Sequence, residues 1–351
     1  MSSIFSQEAI KFTKKLLAQS KTSPDVSHNF CDEIDKLTLN IISLAGFGYD
    51  VGAQGLGEAN PFLSALQEVF VEAAKPRLMV PYIGYFMKWQ NRRILKTVND
   101  VLYRVIDERI QERLEGRQDS GRVADLLDMM MKPGDDGQQL TREELRNELV
   151  VFYLAGHETA ANILNWTLVE VVRHPEVYAN LMDEINSAMG PTGDEGVVCP
   201  TLDQLQDMPY LELVLNETLR LYAPFGSVNR VVPETFEHKG FVYPKGMAIS
   251  SSILLIHRDP ELWPEPEKFI PERHTKANSA ERHPFAFFPF SGGQRICIGK
   301  NFFFAEAKIL LVTMLRSLKF EVDQSKPLAV LTSQKGLLKP SANWLKVSSV
   351  M

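Results

Sequence analysis

Phe290-Ser-Gly-Gly-Gln-Arg-Ile-Cys-Ile-Gly299 decides how this chain is read. It sets a lone cysteine, Cys297, among glycines and just ahead of an apolar run that includes Ala305, Ile309 and Val312. Glycines let a backbone turn tightly and approach a flat ligand. A cysteine at the start of a helix meets the positive end of the helix dipole and free N–H donors, which favour thiolate over thiol. A free thiol titrates near about 8.5, so an anionic sulfur at neutral pH needs such help. Taken alone, Cys297 reads better as a small buried hydrophobe, which is what most intracellular cysteines are. The spacing Phe290, Gly293, Arg295, Cys297, Gly299 is what argues for a ligand.

The 351 residues carry 44% hydrophobic and 23% charged side chains and a net charge of −6, with both signs interspersed. That composition is globular and gives no support for a nucleic-acid partner. Three widely spaced cysteines, Cys31, Cys199 and Cys297, argue against a disulfide framework. The first residues lack the basic-then-apolar order of a signal peptide, and no apolar run approaches the roughly 18 residues of a spanning helix. The aromatic stretch Met79–Met87 reads as a packed loop that is also compatible with contact at a membrane surface.

Helical periodicity runs from about His28 to Ala45 and from about Arg92 to Leu114. Lys132–Gln139 is a polar breaker. Thr141-Arg-Glu-Glu144 then has capping-box spacing, and a helix from Thr141 to Arg173 would span roughly 50 Å. Pro175 is expected to end it, a further helix covers about Tyr210 to Tyr222, a β-like run covers Asn229 to Val232, and a last helix begins near Gly299. With no repeat or linker, the expectation is a single domain, mainly α, over residues 1–351.

Within the long helix, Ala155-Gly156-His157-Glu158-Thr159 interrupts an apolar stripe. Ala155 and Gly156 remove side-chain bulk from that stripe, and Glu158 and Thr159 are placed to relay protons. The plain alternative is a kinked helix in which Thr159 bonds back to a carbonyl. Glu217-Thr-Leu-Arg220 sets two charges on one helix face among leucines, a half-buried pair that needs a further partner.

Together these motifs resemble the cytochrome P-450 superfamily, and their order along the chain is that family's. The resemblance, read from about residue 28 onward, implies a cytochrome P-450 fold: a large helical domain with small β-sheets. It implies heme b (iron protoporphyrin IX), with Cys297 as axial sulfur ligand, Phe290 shielding the sulfur, Gly293 and Gly299 shaping the loop, and Arg295 on a heme propionate. Arg230 in Ser227–Val232 would reach a second propionate from a strand. Ala155, Gly156, Glu158 and Thr159 fall on the oxygen-binding motif. Glu217 and Arg220 match ExxR, with Arg273 of Phe269–Arg273 as third member and His274 standing where an aromatic is common. Ala223–Val228 and a turn around Leu331–Ser333 would line a pocket for a lipophilic small molecule.

The implied activity is a heme-thiolate monooxygenase, using O2 and electrons from an NADPH-dependent reductase, with Lys300, Lys308, Arg316 and Lys319 as a docking face. The same scaffold can also run isomerisation or dehydration, and a truncated, catalytically impaired or heme-free fragment is the remaining alternative. The expected place is the cytosolic face of the endoplasmic reticulum membrane for a full-length member. The short front implies that an N-terminal portion is missing, namely the anchor, the first β-sheet and early helices, which would leave this chain cytoplasmic.

Overall fold

The computed structural model describes residues 1–23, 26–53, 60–73, 92–116, 124–135, 137–191, 196–334 and 337–350. Met79–Met87 lies outside the described residues. Among the described residues eight long helices carry the fold: α1 (Ser2–Thr22), α2 (Phe30–Phe47), α3 (Pro61–Ala73), α4 (Arg92–Leu114), α5 (Arg142–Arg173), α6 (Pro175–Met189), α7 (Pro209–Tyr222) and α8 (Lys300–Ser317).

The capping box expected at Thr141 is formed: its hydroxyl accepts the Glu144 N–H, and the Glu144 carboxylate accepts the Thr141 N–H. From there α5 crosses the molecule. Pro175 does end α5, but the chain restarts at once, because proline lacks an N–H and suits the first turn of α6. The opening helix α1 was not foreseen. It buries Phe5, Ala9, Phe12 and Leu16 and packs on α8, with Phe5 edge-on to Phe302 at 5.0 Å.

Among the described residues four small antiparallel sheets complete the fold. Strands β1 (Ser27–Asn29), β9 (Trp344–Ser349) and β6 (Leu318–Val322) form one in the order β1-β9-β6, tying the start of the chain to its end. The others are two-stranded: β2 (Ser227–Val231) with β5 (Ala248–Ser252), β3 (Phe236–His238) with β4 (Phe241–Tyr243), and β7 (Leu331–Gln334) with β8 (Leu337–Pro340). Leu331–Ser333, expected as a turn, is therefore strand, paired with Leu338, Lys339 and Pro340.

Helices α2 and α5 lie against each other and contribute to both apolar cores. Their contact is close enough to dictate a residue. A Cβ on Gly156 would sit 2.8 Å from Ile42 Cγ1, so the glycine is required by α2 as well as by any ligand beside it. Gly156→Ala is expected to overpack this contact by about 1–3 kcal/mol, against roughly 1 kcal/mol regained from helix propensity. A double-mutant cycle with Ile42→Ala should show favourable coupling of at least about 0.5 kcal/mol. Zero coupling would mean that Ile42 is not the obstacle.

Candidate active site

The loop before α8 is built from conformations that its residues select. Ser291 and Gly293 both have positive φ, 64° and 67°, and a Cβ on Gly292 would lie 2.9 Å from the Phe285 ring. A short 3-10 turn over Gly293–Arg295 follows, and the Cys297 N–H donates to the Phe290 carbonyl at 2.9 Å. Gly299 caps α8, and a Cβ there would stand 3.8 Å from Cys297 Sγ. The result is a sulfur held at the start of a helix with little around it: Cys297 is exposed, whereas Cys31 and Cys199 are partly buried. Burial, followed by the charges of Asp35 and Asp32, pushes the Cys31 thiol up to about 12.

Cys297 opens on an apolar cavity of about 670 Å³. Its walls include Ala155, Gly156 and Thr159 of α5, Phe225, Val228 and Arg230 at β2, Phe290, Arg295, Ile298 and Gly299 of the loop, and Phe302, Phe303 and Glu306 of α8. Phe290 packs against Phe303 and Phe304, with ring centroids 5.8 Å apart in each case. The cavity thus brings together all the expected cofactor-binding residues except Gly293, which shapes the turn behind them. Of the proposed substrate-pocket segment Ala223–Val228, residues 224, 225, 227 and 228 line it, while the strand Leu331–Gln334 does not.

Arg230 Nη2 donates to Ser291 Oγ at 3.0 Å. Among the described residues no carboxylate pairs with Arg230 or Arg295. Two exposed guanidiniums, an exposed thiol and apolar walls suit a flat apolar ligand that carries anionic substituents and accepts a sulfur ligand. Heme has that chemistry, and the residues present fit it.

On α5 the two expected proton carriers part company. Thr159 lines the cavity and its hydroxyl donates back to the Ala155 carbonyl at 2.6 Å, the local bond expected of a threonine in a helix. Glu158, one residue earlier, is 1% exposed and pairs with Lys339 of β8 at 3.2 Å. Lys339 was not singled out in the sequence.

Below the loop lies a buried polar cluster. Glu217 and Arg220 are fully buried and joined by two hydrogen bonds of 2.8 Å. The remaining Arg220 N–H groups donate to the carbonyls of His257, Pro266 and Lys268, and the Ile270 N–H donates to Glu217. Arg273 joins as expected, its Nε 3.3 Å from Glu217 Oε1. His274 is a fourth member, with Nε2 2.9 Å from the other carboxylate oxygen. Burial raises the Glu217 carboxyl, but hydrogen bonds from Arg220 and His274 outweigh it and hold the group at about 2.

His257 couples this cluster to the cysteine loop. Its Nδ1 lies 3.2 Å from the Arg220 carbonyl and its Nε2 accepts the Phe288 N–H at 3.1 Å, which assigns the proton to Nδ1. Burial lowers His257 to about 4 and also lowers His274. His257 is therefore neutral in the folded chain down to about pH 4, and both imidazoles take up a proton more readily in the unfolded chain as pH drops below about 6.5. Stability should fall between pH 6.5 and 4 for this reason, and again as Glu217 is protonated below its ordinary range. Urea midpoints across that range measure it, and His257→Asn, which keeps a donor and an acceptor without titrating, should flatten the upper part. A pH-independent midpoint would contradict the assignment.

Two docking-face residues are corrected by the structure. Arg316 is buried and donates to the carbonyls of Gly190 and Pro191, and the largely covered Lys308 pairs with Glu212 at 2.7 Å. Only Lys300 and Lys319 are exposed, and Lys319 pairs with Glu321.

The comparisons agree with this geometry. The family model described as Cytochrome P450 matches residues 1–347, so the likeness begins at the first residue and includes α1. The chain is similar to Cytochrome P450 4d8 of Drosophila melanogaster (30% identical, covering 89% of this chain and 71% of that protein). It is also similar to Cytochrome P450 3A12 of Canis lupus familiaris (29%, 89% and 63%) and Cytochrome P450 3A16 of Mus musculus (33%, 67% and 46%). The alignments thus span from under half to about seven tenths of these relatives. Among solved structures, the heme domain of a cytochrome P450DA mutant superposes with a TM-score of 0.82 at 27% identity, covering 99% of this chain and 74% of that one. With the cysteine loop, the ExxR cluster and the helical fold in the same order, this chain belongs to the cytochrome P450 family.

Proposed function

We propose that the chain acts as a heme-thiolate monooxygenase that inserts one oxygen atom of O2 into a lipophilic small molecule, with electrons from an NADPH-dependent reductase. The observation that carries this reading is Cys297: an exposed thiol at the mouth of a helix, facing an apolar cavity flanked by two guanidiniums that have no carboxylate partner among the described residues. Heme b, when bound, supplies the O2 binding and reductive activation that side chains lack, and a thiolate ligand favours O–O cleavage. Cys297 would hold the iron, and Arg230 and Arg295 the propionates.

The chain's own residues account for the rest. Phe225, Val228 and Ile253 present apolar surface to a substrate and exclude water, each buried methylene contributing about 0.8 kcal/mol. Thr159 now donates to Ala155, so its oxygen lone pairs are free, and its hydroxyl must rotate before it can give a proton to the cavity. Glu158 is kept close behind by Lys339 as the second proton carrier. Exposed Lys300 next to the loop is the remaining candidate contact for an acidic reductase surface. Among the described residues no helix is long and apolar enough to cross a membrane.

Turnover of lipophilic compounds with reductase and NADPH, scored for product containing oxygen from labelled O2, tests the reading. Product formed without reductant or O2 would point to isomerisation or dehydration instead.

A further inference from the structure

Trp166 of α5 and Tyr222 at the end of α7 lie face to face, with ring centroids 3.9 Å apart and planes 5° apart. Offset or edge-on packing is the commoner arrangement of two aromatic rings. So close an overlap suits passage of an electron between them. Each stands one helical turn, roughly 5 Å, beyond a residue of the cavity wall: Trp166 beyond Ile163, and Tyr222 beyond Leu219. Trp166 is also the described tryptophan that gives up an electron most readily. Trp263 has Arg282 3.8 Å and Arg220 5.1 Å from its ring centroid, and Trp344 has Lys326 at 5.1 Å, whereas no cation stands over Trp166 among the described residues. A cation on a ring face is attracted by the ring's electrons and opposes their loss.

The two rings differ in where their protons can go. Trp166 is 1% exposed and its Nε1 has no hydrogen-bond partner among the described residues, so an oxidised indole has no base beside it. The Tyr222 hydroxyl donates to Glu170 Oε1 at 2.8 Å, and Arg173 at 3.5 Å and His174 at 3.4 Å hold that carboxylate in place. Burial, then the Glu170 charge, raises the phenol above its ordinary range, so its proton moves only when an electron leaves.

We propose that Trp166 and Tyr222 form a redox-active pair that carries oxidising equivalents out of the cavity to a small thiol at the surface. An oxidant in the cavity takes one electron from Trp166, which takes one from Tyr222 as the phenol proton passes to Glu170. A thiol meeting the partly exposed Tyr222 returns an electron and a proton, Glu170 releases its proton to solvent, and two thiyl groups join as a disulfide. The pair drains oxidant formed at bound heme when no substrate is there to consume it. Only that source of oxidant rests on the heme reading.

A photo-oxidant in place of heme tests the pair by itself. A ruthenium polypyridyl iodoacetamide should label exposed Cys297 in preference to Cys31 and Cys199, whose thiols burial raises, and flash-quench then generates the oxidant at the cavity mouth. Transient absorption should show a tryptophan radical decaying into a tyrosyl radical. Tyr222→Phe should cut the tyrosyl yield at least about tenfold and leave the tryptophan radical, and Trp166→Phe should slow tyrosyl formation at least about tenfold. Glu170→Gln, which keeps an acceptor but removes the base, should slow it as well. Spin trapping with peptide mapping needs no substitution to fold: in the parent chain the adduct should fall on the peptide that holds Tyr222. An unchanged tyrosyl yield in Tyr222→Phe, an adduct elsewhere, or no amino-acid radical at all would overturn the proposal. Failure of the heme reading shows separately, in the spectrum of the heme-loaded chain.

Discussion

Arg220→Ala should cost the fold about 3–5 kcal/mol, enough to leave most of the chain unfolded or insoluble at ordinary temperature. Arg220 is fully buried, and each N–H group it directs at a partner is used: two on Glu217 and the others on three carbonyls from the segment 257–268. Removing it strands the Glu217 carboxylate with one imidazole, one peptide N–H and the poorly aligned Arg273, and leaves three carbonyls short of a donor. The loss is that of an uncompensated buried charge, which is why it exceeds the net worth of the pair itself. Arg220→Lys should fare little better, since a point ammonium cannot reach carboxylate and carbonyls at once in the planar geometry of the guanidinium. Denaturant midpoints of parent and variants measure this. A change below about 1 kcal/mol would show that the cluster does not hold the segment that carries the cysteine loop.

Cys297→Ala should have the opposite profile. The residue is exposed and its sulfur packs against little, so heme-free stability should stay within about 0.5 kcal/mol of the parent. Function should not survive, because no other cysteine faces the cavity: Cys199 contacts Thr313 and the Ser6 carbonyl, and burial with nearby acids keeps Cys31 a thiol. The thiolate signature of bound heme should vanish, and monooxygenase turnover should fall to background. Residual turnover at even a tenth of the parent rate would be about 1.4 kcal/mol of barrier, far too little for loss of the only sulfur ligand.

What the sequence disclosed followed from local rules. Capping chemistry at Thr141 and Glu144, Pro175 at the end of α5 and glycine ahead of α8 each announce a helix end through backbone physics. The Phe290–Gly299 spacing likewise carries its chemistry within ten residues. What stayed hidden depends on distant contacts. Nothing near His257 indicates that its ring joins Arg220 to Phe288, and Lys339 and Glu158 are far apart in the chain but meet when β8 packs on α5. His274 departs from the family pattern, and its role is visible only in the fold, where its Nε2 lies 2.9 Å from the Glu217 oxygen that also accepts from Arg220 Nε. Gly156 was read for a ligand, but its closest constraint is Ile42 on another helix. Arg316 looked like surface charge because periodicity alone does not reveal the Gly190–Pro191 carbonyls that bury it.

Everything proposed for this cavity depends on Cys297 binding heme iron as a thiolate. The most direct measurement is the difference spectrum of the heme-loaded chain, reduced and exposed to carbon monoxide. The parent chain should give the strongly red-shifted Soret band of thiolate-ligated heme, abolished in Cys297→Ala. A heme-loaded chain with an unshifted band, or the same band in the alanine variant, would contradict it.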